Sequence, residues 1–432
     1  MKFPGRRHTK HYFPVTDKGR VSLSEPRDSR TDVYIVGIDQ LLVDIEIEVS
    51  DDFLQKHNFH KGESFIIDDQ TCEEIYQFCK SEGFVRGEFP GGAIGNTLHN
   101  YAVLSEGPCY ALGSINKQIE VGDYAFKYLS KTSGLVDMSY LMPAERPMGR
   151  AFCFITPDME RTFAISKGCM NEFGPEYLPA EIIAKSAALL ISAYSLRSDD
   201  EPICKATVKA CEIARSNKVP VVMSMGTSKL VEEKIEEFKE FIDQYVTCVA
   251  MNKDEALALT GHEDPLLACE HLLETVDMAL VTVGSKGLYL AAYTENELKR
   301  NTNDPLVSKA IVNYNEFEYS RGMLKDECSD PIKIYTHISP FYGGPNVIKN
   351  TNGAGDAALS ALLHDITANN HHKYIMPTSP KHNAKYLSYS SISQISKYAN
   401  RVSFEVLSQN SPRLFKALPE KEDSLEEGYW SK

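Results

Sequence analysis

Apolar and polar positions along the 432-residue chain follow two different rhythms. Residues 31–38 contain the run Val33-Tyr34-Ile35-Val36-Gly37-Ile38, short and apolar, which predicts a buried strand. Residues 41–49 alternate instead. Val43, Ile45 and Ile47 stand against Asp44, Glu46 and Glu48, a period of two that predicts a strand with one wet face. From about residue 95 onward, apolar runs are separated by longer amphipathic stretches. The runs at 110–115, 188–193, 219–223, 246–251 and 279–283 predict strands, and the stretches at 203–216 and 228–245 predict helices. Strands alternating with helices give βαβ units. The expected fold is therefore α/β, with a mainly parallel central sheet covered on both faces. Ligands in such folds bind outside the carboxyl ends of the strands.

Residues 151–166 break the second rhythm. A strand-like stretch at 151–157, a turn at Asp158-Met159-Glu160 and a return at 161–165 predict a hairpin. With residues 41–67 it forms a candidate small β lid over the sheet edge. Residues 1–30 are polar and basic and read as an arm, leaving 31–410 as the main domain. Two polar stretches, about 293–346 and 366–385, read as insertions. Residues 411–432 read as an acidic tail, because Glu420, Glu422, Asp423, Glu426 and Glu427 cluster there.

Composition narrows the function classes. Lysine and arginine number 46 and aspartate and glutamate 60, a formal net charge of −14. A chain so acidic is not expected to be a general nucleic-acid binder, which carries a basic stripe. Ten cysteines are scattered with no metal-ligand spacing, as in a protein of a reducing compartment. The start, Met-Lys-Phe-Pro-Gly-Arg-Arg-His, has no apolar segment behind its basic residues, so no secretory leader is expected. No stretch approaches the roughly 20 apolar residues of a membrane helix. A cytoplasmic protein without membrane partners is the expectation.

Two glycine-bearing turns carry the chemistry. Asn350-Thr351-Asn352-Gly353-Ala354-Gly355-Asp356 runs into the apolar helix pattern Ala357-Ala358-Leu359-Ser360-Ala361-Leu362-Leu363. The small residues Gly353, Ala354 and Gly355 let backbone N–H groups approach a phosphate at the positive end of a helix dipole. Asp356, in the first turn, is where a carboxylate can take the proton of an attacking hydroxyl. A base beside an anion hole is what phosphoryl transfer requires. A glycine turn before an acidic helix start is also common without any function, so the companion motifs matter. The second turn, Gly91-Gly92-Ala93-Ile94-Gly95-Asn96, places glycines and an amide where a ligand's hydroxyls can be met. Neither a dinucleotide fingerprint nor a P-loop occurs in the chain. Arg197 follows the run at 188–193, on the edge where substrate is expected, and reads equally well as a surface arginine.

These turns, in this order, resemble the two signatures of the ribokinase-like (PfkB-type) carbohydrate kinases, over roughly residues 32–405. The resemblance implies a three-layer fold with a small β lid. It also implies ATP as co-substrate and a Mg²⁺ ion organised indirectly by Asn252 and Glu255, in Asn252-Lys253-Asp254-Glu255. Gly37-Ile38-Asp39-Gln40-Leu41-Leu42-Val43-Asp44 is similar to the family's first strand, which places Asp39, Gln40 and Asp44 beside Gly91, Gly92 and Asn96 around a sugar. Val281-Thr282-Val283-Gly284-Ser285-Lys286-Gly287 is similar to the strand and turn at the nucleotide. Thr282, Gly284, Gly287 and Asn352, with Asn400 in Ala399-Asn400-Arg401, would then line the ATP site. The family usually opens its second signature with Asp, where this chain has Asn350, and has Thr or Gly at Asn352. A monovalent cation is thus an open expectation.

The similarity is closer to bacterial inosine-guanosine kinases and runs nearly end to end, including Ser411-Pro412-Arg413-Leu414. It implies phosphorylation of the 5′-hydroxyl of guanosine and inosine, a base preference that rests on the resemblance alone. Phosphorylation of adenosine or a sugar, or an inactive ligand-sensing relative, are the alternatives. Self-association is left open.

Overall fold

The computed structural model describes residues 33–158, 160–340, 348–349, 351–415 and 418. The predicted arm at 1–30, Asn350 and the acidic residues 420–427 lie outside them. In chain order the strands are β1 (Ile35–Ile38), β2 (Leu42–Glu48), β3 (Ser64–Ile67), β4 (Val85–Pro90), β5 (Cys109–Asn116), β6 (Val136–Asp137), β7 (Leu141–Ala144), β8 (Gly149–Ile155) and β9 (Arg161–Ser166). There follow β10 (Ala188–Ser192), β11 (Val221–Ser224), β12 (Cys248–Asn252), β13 (Met278–Thr282), β14 (Leu288–Glu295), β15 (Arg321–Met323), β16 (Pro331–Ile338) and β17 (Tyr386–Ser391).

The large sheet runs β17-β15-β14-β13-β12-β11-β10-β1-β5-β6, with β16 on β14 and β7 on β5. From β13 through β5 every neighbouring pair is parallel, and β14 to β17 join antiparallel. Two apolar clusters, one per face, bury this sheet against helices, which makes three layers. Strand β10 is buried at every position, as a strand covered on both faces must be.

The lid is a second sheet of order β3-β9-β8-β2-β4. Strand β2 alternates half-buried and buried residues, and Val43, Ile45 and Ile47 join Phe152 and Phe154 in a third apolar cluster. Strands β8 and β9 form the antiparallel hairpin. The lid is larger than its sequence pattern indicated. It also takes in β4 and the Asp69–Ser81 helix, whose buried Cys72, Ile75, Tyr76 and Cys79 belong to the same cluster.

Three expectations are corrected. The stretch 293–340 is not all loop, because β15 and β16 within it extend the large sheet. The stretch 366–385 begins as the second half of the 22-residue Ala354–Ile375 helix. The stretch 228–245 is two helices, Ser228–Glu233 and Ile235–Tyr245. They part at Lys234, which leaves helical dihedrals (φ −135°, ψ 35°) while its ammonium reaches the Leu196 carbonyl and Asp199. None of the ten cysteines is disulfide-bonded, and nine are buried. Among the described residues no helix is long and apolar enough to cross a membrane.

Candidate active site

Three carboxylates from separate parts of the chain converge where the large sheet, the lid and two helix starts meet. Asp39 follows β1, anchored by its own N–H donating to the Leu112 carbonyl of β5 at 2.9 Å. Asp44 lies on β2 of the lid, and Asp356 in the first turn of the Ala354–Ile375 helix. Asp39 is 3 % exposed, whereas the other two are half-buried. Burial raises all three above the ordinary carboxylate range, Asp39 to about 6 and Asp44 and Asp356 to about 7. Their mutual repulsion raises Asp44 and Asp356 further, and the Arg413 guanidinium pulls each of the three back down.

The first helix start is the turn Gly91-Gly92. Gly92 adopts φ +88° as the N-cap of the Ala93–Ser105 helix and offers no capping side chain. The cap comes from Asp39, whose Oδ2 accepts from Gly95 N at 2.9 Å. A Cβ on Gly92 would meet that same oxygen at 2.5 Å, so the close approach requires glycine. Asp39 thus holds the turn in place. Gln40 is likewise committed, its Nε2 donating to Asn171 Oδ1. Asp44 differs, since it takes no hydrogen bond from a described residue and faces the backbone of Gly91.

The second helix start has the same backbone device with an opposite outcome. Gly353 is the N-cap at φ +79°, again without a side-chain cap. No described atom stands within 4 Å of where a Gly355 Cβ would be, so the helix has clear space on that flank of its first turn. Asn96, from the first helix, donates through Nδ2 to Asp356 Oδ2 at 3.2 Å. The two helix starts are thereby tied at their reactive ends.

The sequence pattern did not reveal Arg413. Residues 411–414 are not tail but a strap packed on the Ala93–Ser105 helix, with Arg413 2 % exposed. Leu414 N donates to Asn100 Oδ1 at 2.8 Å, and Asn100 Nδ2 donates to the Pro412 carbonyl at 3.3 Å. His99 Nδ1 accepts a hydrogen bond from Ser133 N–H, so Nε2 carries the ring hydrogen and donates to the Leu414 carbonyl at 2.9 Å. The signals in the sequence were the stripe Asn96, His99, Asn100 at helical spacing and the Ser-Pro-Arg-Leu segment itself.

The predicted nucleotide residues gather along the carboxyl ends of β12 and β13. Asn252 and Thr282 are register partners there, and the turn bearing Gly284 and Gly287 follows β13. Glu255 is 4 % exposed and forms a capping box with Asn252, accepting from its N–H at 2.9 Å and from its Nδ2 at 2.6 Å. Burial first, then the nearby Asp356, raises Glu255 to about 7. Asn400 lies on the Ile392–Leu407 helix and donates to the Ser339 carbonyl at 2.8 Å, while Ser403 of the same helix donates to the Ala354 carbonyl. From the lid, Arg161 reaches Asn352 Oδ1 at 3.2 Å and Thr351 Oγ1 at 3.4 Å, spanning the cleft. Arg197 stands exposed on the turn after β10, its guanidinium over the Tyr194 ring at 5.3 Å, and that tyrosine lies within electrostatic reach of Glu255 and Asp356.

Residues 70–305 match the model of the pfkB family carbohydrate kinases. The guanosine-inosine kinase of Escherichia coli (strain K12) is 47 % identical over 434 residues, covering all of both chains. Among solved structures, a probable sugar kinase from Rhizobium etli CFN 42 superposes with a TM-score of 0.66 at 20 % identity, over 90 % of this chain and 96 % of that one. The adenosine kinase of Sinorhizobium meliloti superposes at 0.64 and 20 % identity, over 90 % and 97 %. The solved structures agree with the layered sheet, and the family match spans the lid hairpin through the nucleotide strands. The chain belongs to the pfkB family of carbohydrate kinases.

Proposed function

We propose that the protein transfers the γ-phosphoryl group of ATP to the 5′-hydroxyl of guanosine and inosine. The observation that carries this reading is Asp356 in the first turn of a helix whose glycine N-cap brings no side-chain cap, in a chain that is end-to-end similar to the Escherichia coli guanosine-inosine kinase. The nucleoside lies between Asp44, the Gly91-Gly92 turn and the lid, with Asp44 accepting from ribose hydroxyls. ATP lies along the 284–287 turn, the 353–355 turn and the Asn400 helix. Asp356 accepts the proton of the 5′-hydroxyl. The oxygen then attacks the γ-phosphorus, the bond to ADP breaks, and the 353–356 amides hold the charge on the transferring group.

A divalent metal, Mg²⁺ in this reading, neutralises phosphate charge when bound. Asn252 and Glu255 suit an indirect hold on it, because their polar atoms already bond to each other. No group of three or more His, Cys, Asp or Glu side chains forms a metal cluster among the described residues, which also favours hydration water and phosphate as ligands. The unbonded cysteines favour the cytoplasm.

A panel of guanosine, inosine, adenosine and ribose, with ADP release coupled to a dye, tests the assignment. Guanosine and inosine should turn over fastest, with product identified as the 5′-monophosphate. Faster turnover of adenosine or ribose overturns it.

A further inference from the structure

The strap at 411–414 inserts a buried cation between the substrate turn and the three carboxylates, and its contacts form a chain that ends on Asp356. Arg413 Nε donates to Asn96 Oδ1 at 2.9 Å, and Asn96 Nδ2 donates to Asp356 Oδ2 at 3.2 Å. We propose that Arg413 is a positioning residue for phosphoryl transfer, fixing the Asn96 amide so that Asp356 receives a donor on one oxygen and keeps the other for the 5′-hydroxyl. The proposal rests on the reading of Asp356 as the base.

The chemistry leaves the amide one orientation. A guanidinium has donors and no acceptor, so the Asn96 atom facing it must be the oxygen. The Asn96 NH₂ must then face Asp356. Without Arg413 only Asp356 itself orients the amide, and the Asn96 side chain can rotate away from it. Arg413 is held by more than Asn96. Its Nη1 donates to Thr132 Oγ1 at 2.7 Å, its Nη2 to the Gly91 carbonyl at 3.3 Å, and its guanidinium lies 4.7 Å from the Tyr128 ring centre. The fork thus ties the substrate turn, the amide and the Tyr124–Ser130 helix region together. Pro412, one residue earlier, packs against Gly353 closely enough that a Cβ there would meet its Cβ at 2.6 Å. One short segment therefore touches both helix starts.

A double-mutant cycle on the full chain tests this, with Arg413→Met, Asn96→Ala and the pair compared for kcat and guanosine KM. A small misplacement of a reacting group costs on the order of 10²-fold. Arg413→Met should lower kcat about 10- to 100-fold, move KM by no more than about threefold, and leave the pair within about twofold of Asn96→Ala alone. Losses that multiply, or a kcat for Arg413→Met within about threefold of the parent, overturn the proposal. Should Arg413→Met not fold, Arg413→Lys, which keeps the stem and the charge but not the fork, takes its place under the same outcomes. A parent enzyme that fails the substrate panel would defeat the functional reading instead, so the two failures are separable.

Discussion

The two helix starts at the centre of this molecule share a backbone device and differ in what fills them. Gly92 and Gly353 are both N-caps at positive φ, and neither helix has a side-chain cap from its own residue. At the first, the Asp39 carboxylate occupies the amides. At the second, no side chain caps the terminus, the Gly355 flank is clear of described atoms, and the acid of the first turn is Asp356, itself held from the neighbouring helix. A helix terminus left without a protein anion is available to a phosphate, whereas one already filled can only position what surrounds it. In the proposed function, this difference makes the first turn a substrate scaffold and the second the reaction site.

The largest effect that would break this comparison is expected at Gly353. Gly353→Val puts a branched side chain at φ +79° and drives it into Pro412, so stability should fall by roughly 2–6 kcal/mol by urea unfolding. Gly355→Ala, two residues further on with nothing near its Cβ, should stay within about 0.5 kcal/mol. Equal costs at the two positions would contradict the packing described for the strap.

Charge gives the next effect. Asp39, Asp44, Asp356 and Glu255 all have raised values, about 6 for the first and about 7 for the others. A carboxylate whose folded value lies above its unfolded one stabilises the fold at low pH, and that contribution is lost as pH rises through the folded value. The ligand-free protein should therefore gain stability as pH falls from 8 to 6.5. Below that buried His99, lowered to about 4, works the other way and makes the gain less steep, because it resists protonation while the unfolded chain does not. Asp44→Asn should raise unfolding stability at pH 8 by on the order of 1–2 kcal/mol, since a tenfold change in proton affinity is worth about 1.4 kcal/mol and the site is partly hydrated. The same variant should lose the parent's preference for guanosine over 2′-deoxyguanosine. A variant that is less stable at pH 8 and still discriminates would remove Asp44 from the ribose site.

The smallest effect is expected in the lid. Arg161→Ala severs the bonds to Asn352 and Thr351, worth about 0.5–1.5 kcal/mol. Transfer should slow by no more than about tenfold, while ATP hydrolysis without nucleoside should rise relative to transfer. An unchanged ratio of hydrolysis to transfer would separate Arg161 from closure of the cleft.

The parallel sheet was legible because buried strands and amphipathic helices leave different periods in the sequence. Strands 188–193 and 279–283 were placed to within about two residues of β10 and β13. Strand β4 was not legible, since Val85-Arg86-Gly87-Glu88-Phe89-Pro90 has no clean alternation and is held by pairing with β2. The strands at 321–323 and 331–338 were hidden for a similar reason. Arg321-Gly322-Met323 is too short to show a period, 331–338 sits inside a stretch whose surroundings are polar, and β14 supplies the order by antiparallel pairing. At the site, glycine turns announced both helix starts, because positive φ and close approach demand glycine. The role of Arg413 was not legible from its own position, since a cation in a polar tail looks solvated until the three-dimensional fold brings Asn96, Thr132 and Gly91 around it.

The central claim is that Asp356 acts as the base at the second helix start. The direct test is rapid-quench measurement of guanosine phosphorylation by Asp356→Asn, alongside calorimetric binding of guanosine to the same protein. The variant keeps the shape and the Asn96 contact surface but cannot accept the proton. The transfer rate should fall by roughly 10²–10⁴ with guanosine affinity within about threefold of the parent. A transfer rate near that of the parent would contradict the assignment.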